Sequence, residues 1–257
     1  MHGPKLRNGQ RSDYGTTFGG QAELYDRVRP GYPHEVVTAL CGLAAGPVCD
    51  LGAGTGKLGA ALDVALADTP WSVLAVDPDE QLLERNPCRT RVGTAEAVPV
   101  EDATISLTIA AQSWHWFAQP AAGVEIARIT GMGGHLAIVN NQLDVRVSWV
   151  HRLSRIMHAG DVYRPAWRPE LPGEFGPVRA HTVSFTTPVG VAEVIGLART
   201  RTYWLRSNEA TRARVEDNIR QYLMGEACED PEFLAARTEN GRFELPYMCL
   251  VYIAPRC

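Results

Sequence analysis

The segment CDLGAGTGKLG, residues 49–59, joins a short apolar run to a helix-compatible one through closely spaced glycines. A glycine-rich turn of this kind lets the backbone approach a nucleotide-like ligand. Its spacing narrows the ligand. A dinucleotide fingerprint needs G-x-G-x-x-G, but after Gly52 and Gly54 the third place falls on Lys57, and Gly56 comes one residue early. Asp50 stands at the end of the run, where its carboxylate opposes a pyrophosphate and favours a cationic ligand. A second acid, Asp77 in VLAVDPD, falls 21 residues after Gly56 and can accept hydrogen bonds from both hydroxyls of a ribose. Farther on, AAQSWHWFAQP, residues 110–120, crowds Trp114, Trp116 and Phe117 around His115. A histidine there can take a proton from a phenol, alcohol, amine or carbon acid. The alternative is that its ring only hydrogen-bonds a neighbouring loop and orients the two tryptophans.

S-adenosylmethionine meets the first set of demands, since it carries a ribose, an ammonium and a sulfonium but no phosphate. In GTAEAVP, Thr94, Ala95 and Glu96 stand where they can meet an adenine edge.

These segments need strands to hold them. PVCDLGAG, WSVLAVD, RTRVGTA, ISLTIAAQ and GGHLAIVNN read as strands separated by helices or loops, which predicts βα units and a mostly parallel sheet. VRAHTVSFTTPV and FELPYMCLVYIAP are the last two strand candidates, bracketing a helical region from Val191 to about Met224. A polar lead over 1–16 is expected to be flexible. FGGQAELYDRV then has helical spacing until RPGYP breaks it. Residues 142–177, helical near WVHRLSRIMHAG and then rich in Pro, Trp and Arg, read as an insertion that covers something.

In order and spacing, DLGAGTG, VDPD, GTAEAVP, AAQSWHWF and GGHLAI resemble the successive motifs of class I S-adenosylmethionine-dependent methyltransferases. The match runs from about Phe18 to Asn141. AELYDRVRPGYP together with SWHWF is similar to the trans-aconitate methyltransferase-like group of small-molecule enzymes. The resemblance implies an α/β Rossmann-like fold: seven strands in the order 3-2-1-4-5-7-6, strand seven antiparallel, helices on both faces and the helical cover added. It implies a single domain over 17–257, with lid helices over 17–45. It places Asp50, Gly52, Ala53 and Gly54 at the methionine end of the donor, Asp77 and Pro78 at the ribose, and Ala111 and Gln112 beside the methionyl group. Position 94 is threonine where many relatives have aspartate, so adenine recognition passes to Glu96 or the backbone.

Other residues keep two readings. Phe18, Tyr25, Arg29 and Tyr32 form either one packed helix face or a lid, in which Arg29 or Tyr25 reaches the methionine carboxylate and Phe18 and Tyr32 face the acceptor. Trp149, with His151 and Trp167, belongs either to a small core of the cover or to the acceptor pocket. Arg199, Arg201 and Arg206 form either a solvated helix face or, through Arg201, a site for an anionic acceptor. Trp114 and Trp116 are expected to face the gap between donor and acceptor.

The expected activity is methyl transfer to a small-molecule O-, N- or C-nucleophile, carboxylates included, leaving S-adenosylhomocysteine. A non-methylating or cyclising scaffold of the same fold is the alternative; a nicotinamide oxidoreductase is disfavoured by the glycine spacing and Asp50. A formal net charge of -4 gives nothing to attract a polyanion, so no nucleic acid is expected. No run reaches the ~18 to 20 apolar residues of a membrane span, and MHGPKLRNGQ has no apolar signal core, so a cytoplasmic protein is expected. Six scattered cysteines without a CxxC pair, and no clustered acids after the fourth or fifth strand, predict neither metal site nor disulfide framework.

Overall fold

The computed structural model describes residues 22–159, 166–238 and 240–257. Phe18, the rest of 1–21 and residues 160–165 of the expected cover lie outside them. One sheet runs in the order β3-β2-β1-β4-β5-β7-β6. Its strands are β1 Val48–Leu51, β2 Val73–Asp77, β3 Arg89–Val92, β4 Ile105–Ala111, β5 Thr130–Leu143, β6 Arg179–Val189 and β7 Phe243–Pro255. The pairs from β3 to β5 are parallel, and β7 is antiparallel to both β5 and β6. Order and orientation are those the resemblance implied.

The helices before β5 are α1 Ala22–Val28, α2 His34–Cys41, α3 Lys57–Ala65, α4 Glu80–Leu83 and α5 Gln119–Ile129. After it come α6 Ser148–Ile156, α7 Val191–Arg199, α8 Thr202–Arg206, α9 Glu209–Met224 and α10 Pro231–Ala236. Central strands covered on both faces are apolar throughout, which is why VCDL is buried at all four positions and gives no alternating signal. On one face Val36 and Leu40 of α2 and Leu58 and Leu62 of α3 pack on Val48, Ala75 and Ile109. On the other, Ala122, Ile126 and Ile129 of α5 pack on Ile105, Leu136 and Ile138. A third cluster joins Trp149 and Leu153 of α6, Val194 and Leu197 of α7, Ile219 of α9 and Phe233 of α10 to Phe243 and Tyr247 of β7.

The stretch holding α10 was not among the expected elements. The local signal was present: Asp230 caps the helix by accepting from the Glu232 N–H at 2.9 Å, and Pro231 occupies the first turn, where a missing N–H costs nothing. Strand order reverses between β1 and β4, so their C-terminal ends diverge into the crevice where open α/β sheets bind ligands.

Candidate active site

A cavity of about 810 Å³ opens over the C-terminal ends of β1, β2 and β4, well inside the range of small-molecule sites. The glycine turn forms its floor. Gly52 holds φ +64°, and a Cβ there would stand 2.5 Å from Cβ of Ser113, so only glycine fits. Ser113 Oγ in turn donates to the Leu51 carbonyl at 2.7 Å, tying the turn after β4 to the turn after β1. Gly54, at φ +53°, has open space beside it: a Cβ would meet only Leu82, at 3.9 Å.

Two carboxylates lie under this turn. Asp77 Oδ2 accepts from the Gly54 N–H and Oδ1 from the Asp79 N–H, both at 2.9 Å. Burial raises its pKa, and those two N–H donors pull it back. Asp50 is 1% exposed, and its Oδ1 has no hydrogen-bond partner. Burial pushes its pKa up to about 7; the Asp77 charge adds to this and the Gly59 N–H opposes it. An orphaned, buried carboxylate oxygen beside a second acid suits a cationic ligand and repels an anionic one.

Past β4 the chain turns through Gln112 at φ +57°, a left-handed conformation that costs a non-glycine residue free energy. It is held there: the Gln112 N–H donates to the Val139 carbonyl at 2.8 Å and Nε2 to the Asn141 carbonyl at 2.6 Å. The short 3-10 turn Trp114–Trp116 follows, and His115, Trp116 and Phe117 line the cavity. Trp114 does not. Its ring is fully buried with its edge to Phe117, 5.9 Å between centroids, because one residue of the turn must point into the core beneath. Glu96 lines the cavity with Thr94 and Ala95, but one of its oxygens already accepts from the Ala118 N–H at 2.7 Å, at the start of α5.

The far wall comes from α1, the segment after it and the α7–α8 junction. Tyr25, Arg29 and Tyr32 all line the cavity. Arg29 donates from Nε to Thr200 Oγ1 at 3.0 Å and from Nη2 to the Thr200 carbonyl at 3.2 Å, so part of its guanidinium latches α1 to the end of α7. Burial raises the Tyr32 pKa well above its usual value, with the Tyr25, Cys249 and Asp50 charges adding to it. Arg201 and Arg206 also line the cavity, whereas Arg199 faces outward and pairs with Glu216 at 2.8 Å. The arginine run therefore divides between the two readings. Trp149 takes the bland one: it is 1% exposed, packed edge-on against Phe233 and Phe243, and is not part of the cavity.

Several other residues line the cavity or brace its walls without having been expected to. Thr55 Oγ1 donates to Asp26 Oδ1, and Lys57 Nζ donates to the Asp26 carbonyl at 2.6 Å, fastening α1 to the glycine turn. Asn141 Nδ2 donates to the Gly31 carbonyl at 2.8 Å, fixing the segment before α2 to the end of β5. His158 stacks on Tyr203 at 3.7 Å, and Tyr247 closes the wall from β7. Only Thr55 and Lys57 had a legible signal, their place inside the glycine segment. Among the described residues no group of three or more His, Cys, Asp or Glu is placed to hold a metal ion, and no helix is long and apolar enough to cross a membrane.

A family model described as a methyltransferase domain matches residues 49–138, from within β1 to within β5. The chain is 36% identical over 219 residues to the uncharacterized methyltransferase Rv3342 of Mycobacterium tuberculosis, covering 83% of this chain and 88% of the relative. It is 28% identical over 218 residues to the uncharacterized methyltransferase-like protein C25B8.10 of Schizosaccharomyces pombe, covering 79% and 84%. In fold it is similar to the structure of a protein assigned as a type II methyltransferase from Anaeromyxobacter dehalogenans, with TM-score 0.54, 21% identity, and 88% and 97% of the two chains covered.

Proposed function

Given that the chain belongs to the S-adenosylmethionine-dependent methyltransferases of the class I fold, we propose that its cavity binds the methyl donor over the glycine turn and a small-molecule acceptor beside it. The observation that carries this reading is the pair of buried acids, Asp50 and Asp77, under a glycine turn whose Asp50 Oδ1 lacks a partner. When bound, S-adenosylmethionine supplies an electrophilic methyl group on a sulfonium leaving group. Asp50 meets the cationic end of the donor. Asp77 accepts from the ribose hydroxyls with the lone pairs its two backbone N–H bonds leave over. Thr94, Ala95 and the second oxygen of Glu96 face the adenine, and Ala111 and Gln112 flank the methionyl group.

The chain's remaining task is alignment and dryness. Tyr25, Tyr32, Trp116 and Phe117 wall the gap with apolar rings, excluding water and holding the acceptor at a near-attack distance of ~3 to 3.5 Å. For an acceptor that must lose a proton, His115 takes it; a carboxylate acceptor asks for no base. His115→Ala then lowers turnover at least about tenfold for hydroxyl or amine acceptors. A loss confined to acceptor KM would leave His115 as wall only.

Calorimetry with S-adenosylhomocysteine and with NADH tests the donor reading: the first binds and the second does not. Transfer of labelled methyl into candidate acceptors then separates a methyltransferase from a donor-binding scaffold.

A further inference from the structure

We propose that the end of the cavity away from the glycine turn takes a small aromatic anion, held by its charged group at Arg201 and Arg206. The inference rests on the methyltransferase reading of the cavity and adds the chemical class of the acceptor.

The cavity is electrically two-sided. Its acids, Asp50, Asp77 and Glu96, all belong to the ends of β1, β2 and β3, while Arg29, Arg201 and Arg206 belong to the opposite wall. Lys57, the other cation in the lining, lies at the glycine turn and is bound to Asp26. Arg201 is only 7% exposed, so its guanidinium acts through a medium that screens charge far less than water. Its backbone is fixed as well. The Arg201 N–H donates to the Ala198 carbonyl at 3.0 Å, its carbonyl accepts from the Leu205 N–H at 3.0 Å, and Thr200 beside it is held by Arg29.

A planar guanidinium fork at a fixed place recognises a carboxylate or similar anion with directional hydrogen bonds. The neighbouring surface is flat rather than polar. Tyr203 and His158 stack with 19° between their planes, next to Arg201 and Arg206 in the lining, and an aromatic body packs against such a slab. Arg199, two residues before Arg201, faces outward and pairs with Glu216, whereas Arg201 and Arg206 line the cavity.

The test uses full-length protein saturated with S-adenosylhomocysteine and calorimetry with matched probes: 4-hydroxybenzoate against 4-hydroxybenzamide, and 3-(4-hydroxyphenyl)propanoate against its amide. The acids should bind at least about tenfold tighter than the amides. Arg201→Gln should remove that preference while leaving S-adenosylhomocysteine affinity within about twofold. Because Arg201 is buried and its replacement can cost stability, Arg206→Gln provides the same readout from a more exposed place. Equal binding of acids and amides, no binding of either acid at millimolar concentration, or an acid preference that survives in both variants overturns the proposal. Failure of S-adenosylhomocysteine to bind the unaltered protein instead overturns the methyltransferase reading of the cavity, and this inference with it.

Discussion

At one end of the cavity the lining groups sit at strand ends and in the turns that follow: Asp50 within β1 and Gly52 after it, Asp77 at the end of β2 and Pro78 after it, Gln112 and His115 after β4. At the other, Tyr25 and Arg29 come from α1, Arg201 and Arg206 from α8 and its start, His158 from the end of α6 and Tyr247 from β7. The first end inherits its geometry from parallel strands with fixed register. The second is assembled by latches between distant segments, such as Arg29 on Thr200 and Asp26 on Thr55. Precision at the glycine-turn end is a property of the sheet; at the arginine end it is a property of the latches, which can change without disturbing the sheet.

The most severe way to break that contrast is Gly52→Ala. A side chain at φ +64°, with its Cβ 2.5 Å from that of Ser113, forces the two turns apart. A cost of about 3 kcal/mol or more in denaturant unfolding, with donor binding weakened beyond roughly a hundredfold, is expected. Wild-type donor affinity would show that the turn tolerates displacement and that the contrast is overstated.

The pH dependence of donor binding comes next. Asp50, pushed up to about 7, holds its proton below that pH and must release it for a cation to bind alongside. Donor affinity therefore falls by up to about tenfold per pH unit as pH drops below 7, and calorimetry in buffers of different ionisation enthalpy detects the released proton. Asp50→Asn flattens this profile. Folding has the opposite slope. A carboxyl whose pKa is raised in the folded chain costs stability above about 7, and that cost disappears as pH falls to the ordinary value of 3.8.

Asp26→Ala probes a latch. It removes the acceptor of the Thr55 hydroxyl and the ion-pair partner of Lys57 while leaving the glycine turn in place. Roughly threefold to tenfold weaker donor binding with a small fall in Tm is expected. A loss as large as that of Gly52→Ala would mean that α1, not the sheet, sets the geometry of the glycine-turn end. The smallest effect belongs to Arg199→Ala, which breaks a half-exposed pair with Glu216. Stability should change by less than about 1 kcal/mol and both ligand affinities not at all.

The glycine-turn end was readable in the sequence for the same reason that it is precise. Each strand carries its own apolar run, and each acid or glycine lies at its end or in the motif that follows it, so order and spacing pointed to Asp50, Gly54 and Asp77, which all line the cavity. What was misplaced shows the limit. SWHWF reads as one aromatic wall, yet in a 3-10 turn Trp114 points into the core while Trp116 lines the cavity, and no period marks the difference over three residues. ARTRTYWLR reads as one helix face, yet α7 ends at Arg199 and α8 begins at Thr202, and the break turns Arg201 inward. Trp149 could not be assigned from sequence because its partners, Phe233 and Phe243, lie more than eighty residues away. These are tertiary decisions, made by packing rather than by spacing.

The place of β7 between β5 and β6 sets a timetable for synthesis. β6 emerges from the ribosome some fifty residues before β7, its one sheet neighbour among the described residues, which pairs with it along the whole of Arg179–Val189. Until Phe243–Pro255 arrives, the outer edge of β5 stays open and β6 has nothing to add to. Such late, non-local closure slows folding and exposes a bare strand edge to other nascent chains. Chains stalled before β7 should therefore be the ones that chaperones retain.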